Sequence, residues 1–301
     1  MSTGRVIAIS HLANPAVQLQ RILVATDFSA GARAALDCAL GIARHYQSEV
    51  FLVHVIPVLP YVSPEGSEEA IHQAKKFAAQ EMRRLVQDAK CEGMVREEIL
   101  SGGRVWPVLQ EFVKAHALDL VVLGTHGRAA PKEQLLGPVA EEIFRLAECP
   151  VLTVGAQSEK PGLAAEGVRG ILYATNFKPH SERAAMFAHS LEREHGAKLT
   201  VLHVVEDQLE SPSGSHGIIR DFIIRRLRKG LPAACVGNCE PDFQVRFGDP
   251  GEQILAAARE QHSDLIILGL RGGIHTAGQL PSAIAYKLVC QASCPVLTTR
   301  L

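Results

Sequence analysis

Four blocks of this chain occur twice and in the same order. RILVATDFS at 21–29 returns as GILYATNFK at 170–178, so Ile171 follows Ile22 by 149 positions. His203 follows His54 by the same 149, within LVHVI (52–56) and its echo LHVV (202–205). DLVVLG (119–124) returns as DLIILG (264–269), and ECPVLTV (148–154) as SCPVLTT (293–299); Asp264 and Cys294 each lie 145 positions after Asp119 and Cys149. The displacement shrinks by four, so the second copy is shorter between its second and fourth strands. Ordered matches of this kind mark a duplicated domain, and 301 residues are enough for two.

Each copy alternates short apolar runs with amphipathic stretches, the pattern of a parallel α/β fold. The runs at 22–25, 50–56, 119–123 and 151–154 are nearly continuous, as strands buried on both faces are. From Ala30 to Tyr46, the residues Ala34, Ala35, Cys38, Ala39, Ile42 and Ala43 form one stripe of a helix. Further helices are predicted over 68–91, 105–116 and 138–147, with Pro107 in a first turn, where its missing N–H costs nothing. A short strand is predicted near 96–100. The second copy should carry helices near 180–195, 214–229, 250–261 and 281–291. Residues 1–18 have no counterpart and read as an extension. The first domain is expected over 19–155, a linker rich in small and polar residues over 156–168, and the second domain over 169–301.

A net charge of −1 gives no reason to expect nucleic acid or an anionic membrane as partner, and the basic run at 225–229 reads as a solvated helix face. No apolar stretch approaches the ~20 residues of a spanning helix. The start lacks the pattern of a secretory signal. Seven scattered cysteines read as reduced thiols, so a cytoplasmic location is expected.

In open parallel sheets, ligands bind beyond the carboxyl ends of the strands where the strand order reverses. Here that edge holds Ala25, Thr26 and Asp27 after the first strand and Val55 in the second. After the fourth strand come Gly124, His126 and Gly127, then a loop to Gly137, which opens the last helix at Pro138 and Val139. Two glycines three apart leave backbone that a phosphate or ribose can approach, and a helix N-terminus attracts an anion. Neither a Walker A loop nor Gly-x-Gly-x-x-Gly follows the first strand.

The Gly-x2-Gly-x9-Gly spacing, the Asp ending the first strand, the His-Val pair in the second and the final Cys-Pro-Val-Leu-Thr strand together resemble the universal stress protein family, in both copies and over nearly the whole chain. The resemblance implies two Rossmann-like domains, each a five-stranded parallel sheet of order 3-2-1-4-5 flanked by helices. It implies ATP, ADP or AMP as ligand, with or without Mg, and a sensor or adaptor rather than a fast enzyme; an interaction module with vestigial sites and a slow ATPase are the alternatives. Asp27 would contact the adenosine part and the Val55 backbone the adenine edge. Gly124, His126 and Gly127 would line ribose and phosphates, and Gly137 and Val139 would hold the phosphate tail. It also implies that the last strands, 151–154 and 296–299, pair within the chain. Monomer and homodimer stay open, as does the protein partner.

The chain departs from that pattern at several places. Pro138 stands where the family has Ser or Thr. In the second copy the corresponding set is Asn176, Val204, Gly269, Gly272, Ser282 and Ala283, which lacks the carboxylate and one glycine. A nearly complete first site and an eroded second one are expected. Other readings accompany these: Asp27 as a cap for the helix beginning near Ser29, His54 and His203 as hydrogen-bonded core histidines, Asp119 and Asp264 as turn residues, and Trp106 as packing. The Cys235/Cys239 and Cys290/Cys294 pairs lack the spacing of a zinc knuckle, and no nucleophile–base–orienter set stands out.

Overall fold

A computed structural model describes residues 17, 19–57, 64–125, 136–155, 158, 167–206, 215–230, 240–271 and 283–300, apart from the side chains of 64–67 and 215. The first domain runs β1 (Arg21–Ala25), α1 (Ala30–Tyr46), β2 (Glu49–Pro57), α2 (Pro64–Asp88), β3 (Val95–Gly102), α3 (Val105–Ala115), β4 (Leu120–Gly124), α4 (Pro138–Leu146) and β5 (Val151–Val154). The second repeats it as β6 (Gly170–Ala174), α5 (Ser181–His195), β7 (Lys198–Val205), α6 (Ser215–Gly230), β8 (Asp242–Phe247), α7 (Pro250–Glu260), β9 (Leu265–Leu270), α8 (Ala283–Gln291) and β10 (Val296–Arg300). Among the described residues no helix is long and apolar enough to cross a membrane.

All ten strands form one sheet of order β3-β2-β1-β4-β5-β10-β9-β6-β7-β8, so each domain has the expected 3-2-1-4-5 order. Ile22, Leu23 and Val24 are wholly buried, because helices cover both faces of β1. One apolar core lies under α1, α2, α5 and α6. The other lies under α3, α4, α7 and α8 and includes the buried Trp106. Strand β3 is longer than the run 96–100 suggests. It pairs with β2 over its full length, from Val95 opposite Val50 to Gly102 opposite Pro57, but as an edge strand it carries Arg96, Glu97 and Glu98, which dilute the apolar signal. Helix α2 begins at Pro64 rather than near 68, since proline suits a first helical turn.

The paired aspartates prove to be more than turn residues. Asp119 Oδ2 accepts the amides of Gln20 and Arg21 at 2.9 and 2.8 Å, and Asp264 Oδ2 accepts those of Arg169 and Gly170, both at 2.9 Å. Each carboxylate thereby anchors the start of its domain's first strand to the start of the fourth.

The domains join where β5 and β10 pair antiparallel, with Leu152 opposite Leu297. Thr153 and Thr298 add hydroxyl bonds to the Val296 and Val151 carbonyls at 3.1 and 3.3 Å. Buried Arg300 donates to the carbonyls of Phe144, in α4, and Arg271. Between α1 and α5 the seam holds a cavity of about 240 Å³. At its rim the Tyr46 hydroxyl donates to Glu194, and the His45 and His195 rings stack with centroids 4.0 Å apart.

Burial and the neighbouring His45 hold the His195 imidazole below its ordinary range, against an opposing pull from Glu194. The folded protein thus resists a proton that the unfolded chain accepts near pH 6.5. Stability present above that pH is lost as the pH falls through it. The melting temperature should drop between about pH 7.5 and about pH 5.5, and His195→Gln should flatten that dependence. An unchanged pH slope in the variant would rule out this contribution.

Candidate functional site

Strand β1 has β2 on one side and β4 on the other, so the chain's order reverses beside it. At the carboxyl ends of these three strands lies a cleft of about 440 Å³. Ala25, Thr26, Asp27, Val55, Gly124, Gly137, Pro138 and Val139 all line it. His126 and Gly127 lie outside the described residues.

The turn after β1 is built by side chains. The Phe28 amide donates to Thr26 Oγ1 and the Ser29 amide to Asp27 Oδ1, each at 3.0 Å. Ser29 Oγ then caps α1 by accepting the Ala32 amide at 3.2 Å. Asp27 therefore shapes the helix entry and stands on the cleft wall at once, while Ser29 is the cap itself. Between them Phe28 is forced to a φ of 64°, a region that costs a side-chain-bearing residue energy. Its ring packs on His54 with centroids 4.5 Å apart, and His54 Nδ1 donates to the Thr26 carbonyl at 2.8 Å. His54 is the hydrogen-bonded histidine expected, tying β2 to the end of β1.

On β2 the Val53 carbonyl accepts the Thr26 amide at 2.9 Å. Strand alternation turns Val55 to the same edge. Its carbonyl therefore points past the end of β1 toward the cleft.

Gly124 has a packing reason for lacking a side chain. A Cβ there would come within 2.5 Å of the Gly31 backbone, so the first turn of α1 rests directly on the end of β4. The Gly137 amide corrects an expectation. It donates to the Thr125 carbonyl at 2.9 Å and is thus engaged, although Gly137 remains on the cleft wall. The first-turn amides of α4 without an intrahelical partner are those of Val139 and Ala140, because Pro138 has none. The second domain reaches this loop too: the Leu136 amide donates to the Tyr286 hydroxyl of α8 at 3.3 Å.

Two aromatic rings of the cleft were not anticipated from the sequence. Phe28 follows the strand-ending residue in both copies, as Phe177 does, and that recurrence was the available signal. Phe77 on α2 also lines the cleft, half-exposed, and nothing in its helical pattern set it apart.

The second domain repeats the turn with different chemistry. Phe177 has a φ of 59°, and its ring lies 4.5 Å from that of His203, whose Nδ1 donates to the Thr175 carbonyl at 2.8 Å. Asn176 Oδ1 accepts from the Lys178 amide and the Ser181 hydroxyl, both at 3.2 Å. A Cβ on Gly269 would fall 2.0 Å from the His180 carbonyl oxygen, the same close helix packing as at Gly124. Val204 sits in β7 opposite Arg246, and Ala283 opens α8. Gly272 and Ser282, like Cys235 and Cys239, lie outside the described residues. Cys290 and Cys294 are buried thiols.

The family model described as the universal stress protein family matches residues 18–155 and again 167–300. A universal stress protein of Methanocaldococcus jannaschii is 34% identical over 139 residues, covering 45% of this chain and 81% of the relative. One from Bacillus subtilis is 28% identical over 144 residues, covering 44% of this chain and 97% of the relative. The crystal structure of a universal stress protein from Archaeoglobus fulgidus superimposes with a TM-score of 0.66 at 18% identity, over 94% of this chain and 99% of that one, a likeness of fold. Each relative of single-domain length matches about half of this chain, and the family model matches it twice. The chain belongs to the universal stress protein family and carries two of its domains in tandem.

Proposed function

We propose that the first domain binds an adenine nucleotide and that the protein acts as a sensor or adaptor in a stress response. The observation that carries this reading is the cleft of about 440 Å³ at the switch point, lined both by a carboxylate and by a helix N-terminus. Asp27 suits the ribose hydroxyls as acceptor. The apolar walls Val53, Val55 and Leu109, with Phe77, suit an adenine, whose edge would meet the Val55 carbonyl. The Val139 and Ala140 amides at the start of α4 suit a phosphate. Asp27 is the one carboxylate among the described lining residues, so magnesium would enter with the phosphates rather than on a protein site.

Asn176 lacks the charge of Asp27, so nucleotide occupancy should approach one per chain rather than two. Heat precipitation of the purified protein should release AMP, ADP or ATP, and titration of stripped protein should give a single tight site. A protein that releases none and binds neither ATP nor AMP would refute the reading; two equal sites would refute the asymmetry.

A further inference from the structure

The turn that ends β6 gathers positive charge where its counterpart in the first domain carries negative charge. Asn176 replaces Asp27, and Lys178 replaces Ser29. The buried pair Ile223 and Leu227 of α6 matches Ala78 and Met82 of α2, which sets Arg226 in the place of Glu81. Arg226 lies over the Phe177 ring, its Cζ 4.3 Å from the centroid, and so is held at the mouth of the turn beside His203. His180 Nε2 stands 3.4 Å from the Asn176 amide nitrogen. Arg271 follows β9 directly, with its carbonyl bonded by Arg300 at 3.1 Å, which fixes where its side chain leaves the sheet.

We propose that this edge of the second domain binds a phosphorylated, polyanionic small molecule through Lys178, Arg226 and Arg271, without the nucleoside contacts available in the first domain. The three cations are exposed and stand around two half-buried imidazoles. Besides burial, the charges acting on His180 are Arg271 and Lys178, and the one acting on His203 is Arg226; all are positive and hold both rings below their ordinary range. A surface field of one sign concentrates counter-ions of the other. Asn176 offers the ligand no repulsion, and its oxygen is already engaged by Lys178 and Ser181. Recognition here therefore rests on phosphate charge, and it stands independently of nucleotide binding in the first domain.

Inorganic tripolyphosphate is the probe, titrated calorimetrically into the full chain with AMP saturating the first-domain cleft, so that the phosphate-binding start of α4 is occupied. Binding should weaken steeply with added salt. The double variant Lys178→Ala/Arg226→Ala should weaken it at least about tenfold, and Asn176→Asp by several-fold, with melting temperatures near wild type. Asp27→Asn should leave this site's affinity unchanged. The absence of tripolyphosphate binding would overturn the proposal. So would binding that survives removal of both cations, since the anion would then sit elsewhere.

Discussion

Asp27→Asn is expected to weaken adenine-nucleotide binding by several-fold, up to about thirtyfold, while leaving the fold intact. The substitution is chosen because Asp27 serves two purposes. One oxygen accepts the Ser29 amide and so shapes the entry to α1, and alanine would remove that bond along with the charge. Asparagine keeps an acceptor in place, as the second domain demonstrates: Asn176 Oδ1 accepts the equivalent Lys178 amide. What asparagine loses is the carboxylate's charge toward the ligand. A hydrogen bond to a charged group contributes about 1.5–3 kcal/mol against about 1 for a neutral one. Calorimetric titration with ATP and AMP, alongside a thermal melt, measures both halves of the expectation. Undiminished affinity in Asp27→Asn would show that the carboxylate does not face the nucleoside.

Pro138→Ser should tighten ATP binding by on the order of ten- to a hundredfold and leave AMP and adenosine nearly unchanged. Proline as the first residue of α4 contributes neither a hydroxyl nor an N–H. Gly137 cannot compensate, since its amide is held by the Thr125 carbonyl. The outer phosphates are therefore left with the Val139 and Ala140 amides and the helix dipole. Serine would restore a hydroxyl and an N–H, and one charge-assisted bond gained from them is worth about 1.5–3 kcal/mol, which is the ten- to hundredfold expected. The native protein should in consequence distinguish ATP from AMP less sharply than the serine variant does. Equal tightening of ATP, AMP and adenosine would mean that residue 138 does not meet the phosphates.

The repeat made the architecture legible before any coordinates. Two copies of four of the five strands, set side by side, separate the buried runs from chance apolar stretches, and the strand order followed from the family resemblance. Strand β3 was read short because an edge strand is less fully covered, and the consecutive charged residues Arg96, Glu97 and Glu98 break the apolar run at its start. The lining of the first cleft was legible at Asp27, Val55 and Gly124, since strand ends can be located from the runs that precede them. The engagement of the Gly137 amide was not, because it depends on how the loop folds back onto Thr125. The constraint on Phe28 was also hidden: its left-handed backbone results from two side-chain bonds on either side, and a phenylalanine does not advertise it. Gly124 carried a signal that admits two causes, ligand access and helix contact, and only the distance to Gly31 shows that the second applies.

The antiparallel meeting of β5 and β10 reverses strand direction halfway across the sheet. The carboxyl ends of the first domain's strands therefore lie at one end of the slab and those of the second domain's at the other. Between β1 and β6 there are five strand spacings, roughly 25 Å, in addition to this inversion. No small molecule can span both turns, and a protein that caps one mouth leaves the other open to solvent. The molecule is thus a double-ended fitting, with its two strand-end turns facing opposite ways.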